Sequence, residues 1–202
     1  MRSADPRTAA VGPRRTPARA AQDIFAVRCR RLGPSLMREL GLTDIQAAGL
    51  LGNLGHETGG FAHLQEVAPA VPGSPGGWGI AQWTGPRRRA MEAWCRARGL
   101  DPASEAANEG YLRAELSTGE APALMALRQA RTLEQATEVF CRLFERPGIV
   151  ALPDRLVWAR RALRAIRSNP LTPAGKPPAP AAPAQPRSRR ATHPFTPARR
   201  SR

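Results

Sequence analysis

The stretch NLGHETGGFAHLQEVAPAVPGSPGGWGIAQWT, residues 53–84, decides how the rest of the chain is interpreted. It begins at the end of an apolar, helix-like segment, residues 47–54, and Glu57 falls where that helix is expected to stop, before a pair of glycines. A Gly/Pro-rich loop follows, and residues 78–83 predict a short, half-buried strand or extended run. One carboxylate on a helix end therefore faces a loop with aromatic, amide and hydroxyl groups. This arrangement suits a site that holds a sugar and protonates a leaving group.

Composition predicts one domain between two basic tails within the 202 residues. Residues 1–21 are rich in Arg, Pro and Ala and predict a basic, disordered arm. Residues 22–168 carry helical periodicity and predict a mainly α domain, with a small extended loop or β-hairpin after the helix that ends at Glu57. Residues 169–202 are Pro/Ala-rich and then Arg-rich, without an acidic residue, and predict a disordered cationic tail.

Helix ends are marked by their capping residues. Two capping boxes are predicted where a threonine is followed three residues later by a glutamine: Thr43 with Gln46, and Thr132 with Gln135. The first opens the helix that ends at Glu57. A break in the preceding helix is expected at Gly33 and Pro34.

The helix that delivers Glu57 is rich in Ala, Leu and Gly, so we expect it to be buried on most sides. Gly49 and Gly52 within it predict close packing by a neighbouring helix. A carboxylate held by such a helix is pre-organised, as a catalytic group requires.

The formal net charge is +15 and the pI is about 11.6, which indicates an anionic partner such as nucleic acid, a membrane surface or a cell-wall polymer. A GC-rich coding bias explains the same abundance of Arg, Ala and Pro. No secretory signal is predicted at the start of the chain, and no run is long enough to span a bilayer. We therefore expect synthesis in the cytoplasm, with delivery to any outside target by another route.

The cysteines and histidines predict neither a disulfide framework nor a metal site. The three cysteines, Cys29, Cys95 and Cys141, are odd in number and lack CxxC spacing. His56 and His63 follow an H-E-x5-H pattern, whereas H-E-x-x-H is the spacing that places two imidazoles on one helical face. No metal or other cofactor is expected.

Glu57 is the first candidate for catalysis. Its neighbours Leu54, Phe61, Trp78 and Trp83 predict an apolar pocket, in which desolvation favours the protonated form that a general acid needs. The helix macrodipole acts in the same direction at a helix C-terminus. The alternative is a solvated glutamate with no catalytic role.

Glu66, nine residues after Glu57, is the candidate for a second carboxylate that positions the attacking water, or else an exposed loop residue. Candidates for sugar binding lie around these carboxylates. Amide and hydroxyl groups could bond a sugar, and aromatic rings could stack on it or simply fill the core. The set is Phe61, Trp78, Gln82, Trp83, Thr84 and Tyr111.

Four segments together resemble the phage tail lysozyme family. They are GLTDIQAAGLLGNLGHETGGF, LQEVAP, GGWGIAQWTGPRR and FCRLFERPG, within a resemblance that covers residues 36–166. That family is a branch of the lysozyme-like superfamily, related in layout to goose-type lysozymes and lytic transglycosylases.

The resemblance implies a mainly α, lysozyme-like fold and cleavage of peptidoglycan between N-acetylmuramic acid and N-acetylglucosamine. It places the catalytic glutamate at Glu57. It also likens residues 79–83 to the glycine-glutamine strand that lines the sugar cleft of lytic transglycosylases. The second carboxylate varies within the superfamily, so Glu66 remains only a candidate.

The expected function is that of a muramidase of phage or prophage origin, virion-associated or released at lysis. Three alternatives stay open: a lytic transglycosylase, a non-catalytic cell-wall-binding or virion structural module, and a basic nucleic-acid binder. The last is disfavoured because no helical DNA-reading motif is evident. The expected partner is peptidoglycan, with anionic envelope polymers as a further partner for the basic tail.

Overall fold

The structure is a computed structural model that describes residues 17–66, 69 and 73–168, with side chains described from Ile24 onward. The predicted cationic tail and residues 1–16 of the predicted arm lie outside the described residues. The first helix begins at Pro17, so residues 17–21, which the sequence assigns to the arm, are helical.

The described residues form seven α-helices and one π-helical turn, which confirms the mainly α prediction. The elements are α1 (Pro17–Leu40), α2 (Asp44–Glu57), α3 (Gly85–Arg96), α4 (Glu105–Ser117), α5 (Ala121–Gln129), α6 (Leu133–Phe140), the π-turn (Cys141–Glu145) and α7 (Leu152–Arg167). None of the helices in this described part is long and apolar enough to cross a membrane.

Helix α2 is the central element of the domain. It is buried without interruption from Gln46 to Gly55, and it packs most extensively against α7, then against α6 and α1. The capping box at its start is confirmed: Gln46 N donates to Thr43 Oγ1 at 3.4 Å, and Thr43 N donates to Gln46 Oε1 at 2.9 Å. The Gln46 amide nitrogen also donates to the carbonyl of Arg128. The start of α2 is thereby tied to the end of α5.

The second predicted capping box is only half formed. Thr132 Oγ1 accepts from Gln135 N at 3.1 Å, but Gln135 Oε1 accepts from the N–H of Arg131, one residue before the cap.

Helix α1 continues through Pro34, so the predicted break is wrong. Pro34 costs the helix one backbone hydrogen bond, but packing on both sides of it holds the helix together. Leu32 and Leu36 are buried. Because Gly33 has no side chain, Ile166 of α7 packs directly against it, and a Cβ on Gly33 would lie 2.5 Å from Ile166 Cγ1. Tertiary contact thus overrides the local preference.

The predicted close packing at the glycines of α2 is confirmed. A Cβ on Gly49 would lie 2.7 Å from Ala136 Cβ, and one on Gly52 would lie 2.6 Å from the backbone of Ala159. Helices α6 and α7 therefore approach α2 at backbone distance, which a larger residue would prevent.

We expect Gly52→Ala to destabilise the domain by up to about 2 kcal/mol. Alanine gains up to about 1 kcal/mol in helix propensity over glycine. However, the new methyl meets backbone that cannot move aside, and overpacking costs about 1–3 kcal/mol. Denaturant unfolding measures the difference. The matched control is Gly119→Ala, where a Cβ meets nothing within 4 Å. Equal stability of the two variants would contradict this account of the packing.

The segment after α2 contains two isolated antiparallel bridges, Gln65 to Trp78 and Trp78 to Trp83, and no strand among its described residues. Residues 79–82 form a turn instead of the predicted extended run. Positive φ angles at Gly79 (77°) and Gln82 (46°) reverse the backbone there. The reversal brings Trp78 and Trp83 together, and they exchange backbone hydrogen bonds of 3.0 and 2.8 Å.

Candidate active site

Glu57 is the last residue of α2, and Gly59 and Gly60 follow with φ angles of 58° and 78°. These left-handed conformations favour glycine and end the helix as the sequence predicts. The Glu57 side chain is 27% exposed, so it opens to solvent at the end of a helix that is buried from Gln46 to Gly55. Its Oε1 accepts a hydrogen bond of 2.6 Å from Arg155 Nη2 on α7, which leaves the second oxygen, Oε2, outside this bond.

The Arg155 side chain, which binds the Glu57 carboxylate, is only 2% exposed. Its Nη1 donates to Asn53 Oδ1 at 3.0 Å, and its Nε donates to the carbonyl of Val150 at 2.8 Å. The Asn53 amide nitrogen in turn donates to the carbonyls of Gly49 and Thr137. One buried guanidinium therefore joins α2 to α7 and orients Glu57.

The Glu57 carboxylate is bound by the Arg155 guanidinium and not enclosed by the predicted apolar pocket. Leu54 and Trp83 have no exposed surface, and Phe61, which is 4% exposed, stacks on Phe25 with ring centroids 5.4 Å apart. These side chains belong to the core. Sequence spacing alone could not place a guanidinium here, because Glu57 and Arg155 are 98 residues apart.

Three of the predicted sugar-binding aromatic residues have little or no surface for a sugar, and the buried Phe61 is one of them. Trp83 is completely buried, and its Nε1 donates to Glu115 Oε2 at 2.7 Å. Tyr111 is 7% exposed and meets Trp83 edge-to-face at 5.1 Å. Burial raises the pKa of the Tyr111 hydroxyl to about 12. In this conformation both rings fill the core.

The other predicted sugar-binding residues lie at the surface turn. Trp78 is half-buried, with its Nε1 donating to the Pro102 carbonyl at 3.2 Å. The Gln82 amide donates to the carbonyls of Leu64 at 3.0 Å and Gly79 at 2.9 Å, so it holds the turn closed. Thr84 is exposed at the start of α3 and makes no side-chain capping bond. Trp78 and Thr84 thus keep accessible surface.

Glu66 pairs with Gly77 directly beside the bridge between Gln65 and Trp78. Its Oε2 accepts from Gly77 N at 2.7 Å, and its own backbone N–H donates to the Gly77 carbonyl at 2.9 Å. The carboxylate is therefore already engaged by the N–H of Gly77, and its catalytic role stays a proposal.

We expect Glu66→Gln to keep most of the lytic activity, because an amide oxygen can still accept from Gly77. Glu66→Ala removes the acceptor and should lower activity further by loosening the loop. Clearing of purified peptidoglycan by the two variants measures this. A loss of about tenfold or more in folded Glu66→Gln would instead indicate that the charge on Glu66 activates water.

His56 lies beside Glu57 and is half-buried. Burial lowers the pKa of its imidazole, and the Arg155 charge lowers it further. Within the described residues there is no group of three or more His, Cys, Asp or Glu side chains that could hold a metal ion. The three cysteines are buried and free.

A second ion pair that the sequence did not suggest lies between α3 and α4. Arg87 Nε and Nη2 donate to the two oxygens of Glu115 at 2.8 and 2.9 Å. The Arg87 guanidinium also lies 4.4 Å from the ring centroid of Phe144 and donates to the Phe144 carbonyl at 3.3 Å. This bidentate geometry satisfies the carboxylate of Glu115 in full.

Glu145, the last residue of the π-turn, is a third carboxyl group close to these pairs. The residue is partly exposed, but its Oε1 is buried and has no hydrogen-bond partner in the described part of the chain. Burial raises the pKa of the Glu145 carboxyl from 4.5 to about 8, and the Glu57 charge raises it further. The charges of Arg155 and Arg87 oppose this shift. Burial thus favours the protonated form of the Glu145 carboxyl.

The sequence analysis did not predict these buried polar groups, but two features of the sequence point toward them. Asn53 lies four positions before Glu57 on the same helical face, and it is the polar residue in the stretch 47–54, which is otherwise made of Ala, Leu and Gly. Glu145 lies in FERPG, inside one of the segments that carry the family resemblance. Arg155 is one of several arginines in α7, and no feature of the sequence distinguishes it from the others.

Residues 34–166 match the phage tail lysozyme family. No curated protein and no solved structure matches the chain. The matched range begins within α1 and ends in α7, and it includes Glu57, Arg155, Glu115 and Glu145. Because the match covers well over half of the 202 residues and nearly all of the described helical domain, the chain belongs to the phage tail lysozyme family.

Proposed function

We propose that this protein is a muramidase that cleaves the peptidoglycan glycan between N-acetylmuramic acid and N-acetylglucosamine, with Glu57 as the general acid. Membership of the family supports a peptidoglycan-lytic, lysozyme-type function. The observation that carries the residue assignment is the geometry of Glu57. It is a partly exposed carboxylate at the end of a buried helix, fixed through one oxygen by a buried arginine.

In this mechanism Oε2 of Glu57 gives a proton to the glycosidic oxygen, and the bond to the sugar breaks through an oxocarbenium-like transition state. Water then attacks the anomeric carbon, and the proton that it loses restores the acid form of Glu57. Arg155, Asn53 and the α2 backbone hold the acid in place, so little reorganisation is needed during the reaction. Trp78 and Thr84 keep exposed surface near the turn and are the predicted sugar contacts best placed to touch a glycan.

A lytic transglycosylase is the second candidate, and one observation favours it. The Oε2 of Glu66, the predicted second carboxylate, is engaged by Gly77. In a transglycosylase the C6 hydroxyl of the substrate attacks, and no second carboxylate is needed to activate water. Both candidates use Glu57 in the same role.

Incubation with purified peptidoglycan sacculi tests the proposal against other lytic chemistry. A glycan-cleaving enzyme releases soluble saccharide fragments without new free amino groups. Release of new amino groups at cut peptide cross-links would contradict the proposal. Tight binding without any soluble product would indicate a non-catalytic wall-binding module.

A further inference from the structure

A basic pocket lies where α1 packs against the last turns of α7. It is open to solvent, with a volume of about 350 Å³. The described residues that line it are three arginines and three small residues: Ala26, Arg30, Arg161, Arg164, Ala165 and Ser168. No carboxylate belongs to this lining, so the pocket presents concentrated positive charge to the solvent.

The Arg161 guanidinium is held in place by aromatic rings. Its Cζ lies 4.2 Å from the ring centroid of Trp158 and 5.4 Å from that of Phe25. Its Nη2 is buried and has no hydrogen-bond partner within the described part of the chain. The guanidinium has therefore lost water on one side without gaining an acceptor, which is rare for a buried polar atom.

Arg164 brings a second positive charge to the same pocket. It is exposed, and neither Arg164 nor Arg161 pairs with a carboxylate of the described residues, whereas Arg160 and Arg167 on the same helix each do. Burial lowers the pKa of the Arg161 guanidinium, and the charge of Arg164 lowers it further. Two like charges thus lie close together, and an anion between them would remove their repulsion.

This pocket is separate from the proposed acid. Arg164 follows Arg155, the partner of Glu57, by nine residues, which is about 14 Å along the axis of α7. Ser168 is the last residue that the structure describes, and the Arg-rich segment 169–202 follows it in the sequence. A ligand in the pocket would therefore be held away from the bond that is cleaved.

The arrangement suits a phosphate group better than a carboxylate. Two guanidinium groups can bind different oxygens of one tetrahedral phosphate, whereas a single arginine can already satisfy both oxygens of a carboxylate. The macrodipole at the end of α7 opposes an anion only weakly, and two unpaired guanidinium charges outweigh it. No aromatic ring is part of the described lining, so the pocket has no platform on which a nucleic-acid base could stack.

We propose that the pocket of Arg161 and Arg164 binds a phosphodiester group of the anionic polymers that accompany peptidoglycan in the cell wall. Family membership supports a target in the wall. The bound phosphate holds the domain on the wall while cleavage takes place elsewhere on its surface. This binding site does not depend on the catalytic role of Glu57.

An NMR titration with inorganic phosphate at constant ionic strength and neutral pH tests the site itself. The Nε–H signals of Arg161 and Arg164 should shift and saturate, with half-saturation below about 10 mM phosphate. The signal of Arg160, which already pairs with Glu134, is the comparison and should shift much less. Half-saturation at or above about 10 mM, or an equal shift at Arg160, would overturn the proposal.

Arg164→Gln tests what the pocket contributes to polymer binding, and because the residue is exposed the variant should stay folded. In calorimetry with soluble poly(glycerol phosphate), we expect its affinity to be about fivefold or more below that of wild type. Arg199→Gln removes the same charge from the segment beyond the described residues and should weaken binding less than about twofold. A loss in Arg164→Gln no larger than in Arg199→Gln would overturn the proposal, because general attraction to positive charge would then explain the binding.

Double-stranded DNA with the same number of phosphates separates the two sources of a phosphodiester. We expect DNA to bind more weakly than poly(glycerol phosphate) and to be little affected by Arg164→Gln, because general electrostatic attraction holds it. DNA that binds as tightly and loses as much affinity in Arg164→Gln would replace the wall polymer by nucleic acid and overturn the proposal. None of these measurements uses lysis, so their failure is distinguishable from failure of the proposed function.

Discussion

Replacing Glu57 with Gln should lower the rate of peptidoglycan lysis by about a hundredfold or more while leaving the domain folded. The amide oxygen can still accept the hydrogen bond from Arg155, so the connection between α2 and α7 is kept. The amide cannot give a proton to the glycosidic oxygen. Turbidity clearing of purified sacculi measures the effect.

The control for this variant is Glu134→Gln. Glu134 is an exposed carboxylate that pairs with Arg160 at 3.6 Å, so it undergoes the same chemical change on the surface. It should clear sacculi as wild type does. Near-wild-type clearing by a folded Glu57→Gln protein would contradict the assignment of the general acid.

The second large effect is expected for Arg155→Lys, which keeps the positive charge. A lysine ammonium cannot reach Glu57, Asn53 and the Val150 carbonyl together, as the guanidinium does. Each acceptor left unpaired in a buried site costs about 1–3 kcal/mol, so the melting temperature should fall. With Glu57 no longer fixed, we expect kcat to fall by about tenfold or more.

The assay must separate positioning from stability, so it is run well below the melting temperature of the variant. Positioning of the acid predicts a fall in kcat with little change in KM. Arg160→Lys makes the same exchange at an exposed site on α7 and should change neither quantity. A folded Arg155→Lys protein with wild-type kcat would contradict the role of Arg155.

The part of the fold that places Glu57 could be predicted from the sequence because its determinants are local. The capping box at Thr43 and the glycines after Glu57 mark the two ends of α2. The glycines at 49 and 52 predict the close approach of other helices. Each of these features depends on residues within one helix or one turn of it.

The parts that the sequence did not predict depend on contacts between distant segments. Helix α1 passes through Pro34 because Ile166 packs where Gly33 has no side chain. The aromatic residues at 83 and 111 are buried by each other and by Trp94. Residue type alone does not distinguish a sugar platform from a core aromatic ring.

The electrostatic part of the site was missed for the same reason. Arg155 is one of many arginines in a chain with a formal net charge of +15, and only the fold shows that its side chain is buried. Glu145 is followed by Arg146, which suggests a local ion pair. Yet Arg146 pairs with Glu120, and the Glu145 carboxyl turns inward. Charge composition therefore indicates partners in solution far better than it indicates a buried network.

Mass spectrometry of the soluble fragments from digested peptidoglycan tests the central claim most directly, because it identifies the bond that is cut. The account predicts fragments that end in a reducing N-acetylmuramic acid, formed by wild type and nearly absent with Glu57→Gln. Fragments ending in 1,6-anhydro-N-acetylmuramic acid would indicate that the enzyme is a lytic transglycosylase and not a muramidase. Fragments that appear equally with Glu57→Gln, or cuts confined to the peptides, would contradict the claim that Glu57 drives cleavage of the glycan.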